Sequence, residues 1–135
     1  MKELSTAIYS KLSGSALSAH IGNGLFKGRA PDGAEYPYAV YMIVSNSPDK
    51  TFNANYEDTL IQFSLFSSAS SSTEIEDIYE DLIALYEECS LTITGQTLIW
   101  MRRENATLMV EDHTILNGTM QVWHYAVDYI ITTKV

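Results

Sequence analysis

This chain is short of the residues that staple, punctuate or positively charge a small protein. One cysteine, Cys89, stands among 135 residues, so no disulfide can close within the chain and a disulfide scaffold is excluded. Three prolines and seven glycines are too few for a collagen-like or low-complexity chain. Eight Lys and Arg against 17 Asp and Glu leave a formal charge of −9. A firm grip on nucleic acid needs basic side chains that displace phosphate counterions, so tight nucleic-acid binding is not expected. No stretch reaches the roughly 18 apolar residues of a membrane span. The opening MKELSTAIYSKL is too polar for a secretory leader, which predicts a cytoplasmic product with no membrane partner.

Signatures of chemistry are equally sparse. His20, His113 and His124 stand at no metal-ligand spacing, and one cysteine cannot complete a zinc site. No G-x-S-x-G elbow is present. Gly22, Gly24 and Gly28 miss the dinucleotide spacing and follow a helical pattern instead of a strand. The sequence therefore predicts no enzyme, no catalytic residue, no cofactor and no metal. His124, Asp128 and Arg102, on neighbouring predicted strands, are the one trio that would line a small-molecule pocket.

What the chain does have is an ordinary globular composition, 46% apolar, and nine tyrosines suited to cores and to half-wet interfaces. Residues 1–135 are long enough for one domain with its own core. Leu4, Ile8 and Leu12 recur at helical spacing and predict a helix over 2–12. Residues 15–21 resume a helical turn that Gly22-Asn23-Gly24 ends. Ile75, Ile78, Tyr79, Leu82, Leu85 and Tyr86 form the stripe of a second long helix over 73–89, with Thr73/Glu76 or Ser71/Glu74 as a capping box.

Between and after the helices the period is two. Leu25-Phe26 suggests a short strand, and residues 36–44 a strong one: Tyr36, Tyr38, Val40, Met42 and Val44 point one way, and Ala39, Tyr41 and Ile43 the other. Ile61, Phe63 and Leu65 share one face of a strand over 59–66. Short strands are expected near 91–94 and over 97–103. The last strand, 119–132, turns Trp123, Tyr125, Val127, Tyr129 and Ile131 to one side, after a hairpin signal at Asn117-Gly118. Residues 45–58 read as a long mobile loop that orders on a neighbour, with Phe52 and Tyr56 as anchors. Residues 104–118 read as irregular. The expected fold is α+β: an antiparallel sheet of four or five strands with two helices packed on one face.

Two strands, 36–44 and 119–132, are apolar on both faces, which predicts a sheet face needing cover from another chain. Tyr36, Tyr38, Phe52, Tyr56, Trp123, Tyr125 and Tyr129 are the candidate contact residues. Glu74, Glu76, Asp77, Glu80, Asp81, Glu87 and Glu88 carry seven negative charges on one helix with no basic residue among them. They make either a solvated face or a negative wall past which DNA slides.

The order helix, short strand, Tyr36-Pro37-Tyr38-Ala39-Val40-Tyr41 strand, loop, Gln62-Phe63-Ser64-Leu65 strand and Ile75–Leu85 helix resembles the tail completion, or head-to-tail joining, proteins of long-tailed phages. The resemblance spans nearly the whole chain, through the TMQVWHYAVDYII ending. It implies a structural virion protein made in the host cytoplasm, six copies of which form a ring on the tail tube, the neck or head-completion protein being the other partner. A minor capsid or neck connector protein is the alternative within the virion, and a small-molecule-binding α+β domain the alternative outside it.

Overall fold

The computed structural model describes residues 1–135. Three helices come first and middle: α1 Lys2–Leu12, α2 Ala16–Ile21 and α3 Thr73–Tyr86. Six strands complete the chain: β1 Leu25–Lys27, β2 Tyr38–Lys50, β3 Asn55–Ser67, β4 Thr92–Ile93, β5 Gln96–Ile115 and β6 Gly118–Lys134. They form one sheet in the order β1-β2-β3-β6-β5-β4. The class is the expected α+β, but the sheet has six strands and is mixed. β1 runs parallel to β2, while β2·β3, β3·β6, β5·β6 and β4·β5 are antiparallel. The pair is parallel because residues 28–37, which join β1 to β2, carry the chain back to the end at which β1 began.

The core lies between one sheet face and the helices. Ala39 and Tyr41 of β2, Ile61, Phe63 and Leu65 of β3, and Val127, Tyr129 and Ile131 of β6 are buried there with Leu4, Ile8, Ile75, Ile78, Leu82 and Tyr86. These are the same alternate residues that the period-two pattern assigns to one face. Tyr86 anchors two helices at once: its ring stacks on Phe63 at 4.9 Å and its hydroxyl donates 2.7 Å to the Ile8 carbonyl. Burial pushes that hydroxyl well above the ordinary tyrosine range, so it remains a donor throughout neutral pH.

α3 ends at Tyr86, short of residue 89. Glu87 is extended and Glu88 takes a left-handed conformation, φ 51°. The Glu88 amide then donates to the Met101 carbonyl at 2.8 Å, tying the chain to β5. Neither expected capping box forms. The N-cap is Ser72 without a side-chain bond, and Glu74 instead accepts from the Ser67 hydroxyl at 2.7 Å.

The largest corrections concern two segments read as non-strand. Residues 45–58 are not a loop. They continue β2 and begin β3, with a turn at 51–54 closed by Thr51 N–H to the Ala54 carbonyl at 2.9 Å. A bulge between Ile43 and Ser45 sets exposed Asn46 opposite Thr59, and its amide donates to Thr59 Oγ1 at 2.9 Å. Pro48 is tolerated because β1 flanks β2 only at residues 39–41, so the outer side of β2 at Pro48 is a free edge. Residues 104–115 likewise belong to β5, bulged near Ile99 and Glu104. The hairpin signal at Asn117-Gly118 is fulfilled: Ile115 pairs with Gly118.

Candidate assembly surfaces

Two hairpins leave the sheet at opposite ends. β2 and β3 meet at 51–54. At the other end, β6 pairs with β3 only from Trp123 onward, while its pairing with β5 starts at Gly118. Residues 118–122 and their partners therefore project as an arm about 17 Å beyond the other strands. Each tip carries one bare apolar side chain: Phe52 is fully exposed and Leu116 is 97% exposed. Ile115 and Val110 on the arm are half exposed. Burying one such side chain in a partner contributes about 1.5–3 kcal/mol, which makes the tips candidate contact points.

A polar cluster fixes the base of the arm on the sheet face away from the helices. Glu111 takes His113 Nε2 at 3.1 Å on one oxygen and His124 Nδ1 at 3.0 Å on the other. The Tyr36 hydroxyl meets His113 Nδ1 at 2.8 Å, and Phe66 stacks on His124 at 4.4 Å. With a proton on His113 Nε2 and on His124 Nδ1, each ring donates to Glu111 and the Tyr36 hydroxyl donates to His113 Nδ1. Partial burial works to raise the Glu111 pKa, but the hydrogen bonds from His124 and His113 outweigh it and hold the carboxyl below its ordinary range. A depressed folded pKa adds stability above the unfolded pKa, about 4.3 for Glu, and loses it as pH falls through the folded value. Glu111→Gln should therefore lower stability by about 1 kcal/mol at pH 7, and the difference should vanish only at a pH below the depressed folded value of Glu111. Urea melts of both proteins at the two pH values check this; a gap that persists in acid would contradict it.

The expected contact residues sort differently once placed. Tyr36 and Tyr38 lie on the open face, 5.1 Å apart, and Tyr38 stacks near Phe66 at 5.0 Å. Burial, with Tyr36 beside it, pushes the Tyr38 hydroxyl up to about 12. Phe52 is the bare tip, and Tyr56 is half-buried at the start of β3. Trp123, Tyr125 and Tyr129 face the helices, not a free surface. Trp123 Nε1 donates to the Ala69 carbonyl at 3.2 Å. Tyr125 stacks on Tyr79 at 4.1 Å. Tyr129 is wholly buried and offers a neighbour nothing while the helix layer is in place. Leu116, Ile115 and Glu111 are candidate contact and support residues that the sequence pattern does not mark. Their signal was faint: two apolar residues just before the Asn117-Gly118 turn.

Nor is the open face uniformly apolar. Gln62 donates to Asp128 at 2.9 Å and Thr132 to Asp58 at 2.6 Å, so polar pairs occupy its centre. The trio His124, Asp128 and Arg102 does not converge. Each is held by another residue: His124 by Glu111, Asp128 by Gln62, and Arg102 by Glu88 at 3.0 Å. Arg102 also lies over the Trp100 ring, 4.1 Å from its centre. A depression of about 650 Å³ between α1 and residues 90–94 is open and lined mainly by polar side chains.

The acidic stretch from α3 to Glu88 is partly paired. Glu87 pairs with Arg103 at 3.1 Å, Glu88 with Arg102, and Asp81 with His20 of α2. Glu74 is held by Ser67. Glu76, Asp77 and Glu80 are exposed and make no hydrogen bond or ion pair. Arg102 and Arg103, the only adjacent basic pair, are thus spent on Glu88 and Glu87, just past the end of α3, and do not form a phosphate-binding patch.

The family described as Tail completion protein gp17 matches residues 6–134. No curated protein matches by sequence. Among solved structures, a chain from the virion of a native gene transfer agent particle is similar, with TM-score 0.76 and 11% identity over 98% of this chain and 95% of that one. A second solved chain, which carries no functional description, has TM-score 0.55 and 13% identity, covering 96% of this chain and 94% of its own. At these identities the likeness is one of fold.

Proposed function

We propose that this chain, which belongs to the Tail completion protein gp17 family and is a structural protein of the phage virion, closes the tail as a six-membered ring. In this reading the ring caps the head-proximal end of the tail tube and presents it to the neck of the filled head. The work is done by surfaces, with no reaction. The observation that supports a two-ended joint is the pair of hairpin tips, each with one bare apolar side chain, at opposite ends of one sheet. A joint must hold two different partners, and a rigid sheet between the tips fixes their separation. The surplus of acid leaves little to displace phosphate counterions, so DNA passes the ring without being held. Glu76, Asp77 and Glu80 lie on the helix layer, where they maintain solubility.

Phe52→Ser and Leu116→Ser test the two tips. Both positions are solvated, so each change should leave stability within about 0.5 kcal/mol. Each should lower the yield of joined particles at least about tenfold, the loss of one buried contact anchor. Phe52→Ser and Leu116→Ser should arrest at different joints, one at the tube and one at the neck. Normal yields from both variants would contradict the two-ended reading.

A further inference from the structure

The sheet has two bare edges, and both lie at the same level. β5 has no strand outside it beyond the short β4, which pairs only at residues 96–97. From Glu104 to Ile115 none of its residues is buried, and the stretch contains neither proline nor lysine, two common guards of an edge. On the other side β1 has no strand outside it. The pairings run straight across: Leu25, Ala39, Leu65, Tyr125 and Leu108 stand in one row, and Lys27, Tyr41, Phe63, Val127 and Ala106 in another.

Strand direction makes the two edges complementary. β1 runs with β2; β3 runs against β2, β6 against β3, and β5 against β6. β5 is therefore antiparallel to β1. Rotating a copy about an axis along the strands keeps every direction, so β5 of one copy meets β1 of the next as an antiparallel pair. Such a contact joins two different surfaces, the head-to-tail kind from which a ring is built when the rotation closes.

We propose that the subunits of the ring join edge to edge, β5 of one copy adding to β1 of the next at residues 106–108 and 25–27. The inference rests on the ring reading above. Charge agrees with it. Exposed Arg29, two residues past the end of β1, and exposed Glu104, in the bulge two residues before Ala106, fall at the same end of the seam, so opposite charges meet there. A two-fold pairing of β5 with itself centred on Leu108 would instead set Glu104 opposite Asp112, and like charges directly across a strand pair repel.

The test is a charge exchange, with the full chain concentrated until it assembles and its size followed by light scattering. Glu104→Arg and Arg29→Glu should each raise the concentration for half-assembly about tenfold, and the double exchange should restore it. Both positions are exposed, and circular dichroism confirms that each variant is folded. Amides of residues 104–115 and 25–27 should gain hydrogen-exchange protection on assembly. A ring that forms with these amides unprotected, or that ignores the exchanges, overturns the edge pairing and leaves the ring. Failure of the double exchange to rescue overturns it too. A dimer protected on β5 alone points to the two-fold pair. A chain that stays monomeric up to its solubility limit overturns both readings.

Discussion

Replacing Phe63 with alanine should destabilise the folded chain by about 3–5 kcal/mol. Phe63 sits at the middle of β3, between β2 and β6, and is fully buried. Its ring stacks on Tyr86 at 4.9 Å, meets Tyr129 edge-on at 5.9 Å and lies 6.2 Å from Tyr41. Those three rings come from α3, β6 and β2, so one truncation opens a cavity that touches four elements. The rings around it are rigid and cannot collapse inward, which places the cost toward the upper end for a lost aromatic. Domains of this size hold only about 5–15 kcal/mol in total, so the variant should unfold at a far lower urea midpoint. Phe52→Ala, at the bare tip, should shift stability by no more than about 0.5 kcal/mol. Equal shifts from the two alanines, measured by urea melts, would contradict the placement of the core.

That contrast also explains how much of the fold could be read from the sequence. Ile61, Phe63 and Leu65, and Val127, Tyr129 and Ile131, alternate because one side of their strands is dry. The stripe of α3 is legible for the same reason. Residues 45–50 and 104–115 are strands as well, yet both of their faces are wet or nearly so. Their backbone ladders to β3 and β6 hold them, and a ladder leaves no mark on side-chain hydrophobicity. Asn46, Pro48 and Asp49 then look like loop residues, although they stand on a free edge where such residues are allowed. The parallel β1 was beyond reach because a three-residue strand carries no period. Among the contact residues, Phe52 was legible as an apolar residue in a polar stretch. Tyr129 misled because aromatic residues mark cores and interfaces alike. The Glu111, His113, His124 and Tyr36 cluster joins residues up to 88 positions apart, and only the register of β5 on β6 brings them together.

The other large effect concerns the particle. A phage that makes every other virion protein but lacks this chain should form filled heads and complete-looking tails that do not join, and its yield of infectious particles should fall by several orders of magnitude, about the ratio expected when a required contact is absent rather than weakened. The reasoning follows the division of labour on the fold. A rigid sheet separates two apolar tips, and a net charge of −9 leaves little that could displace phosphate counterions. Supplying the intact chain from a plasmid should restore joined particles, because a protein added at a joint can act after heads and tails are made. Supplying Phe63→Ala should restore few, since it lowers the folded population. The most direct measurement is electron microscopy of lysates from the deletion, before and after adding purified chain. The account predicts separate heads and tails that join on addition. Normal virions in the deletion, or heads that never fill, would contradict it.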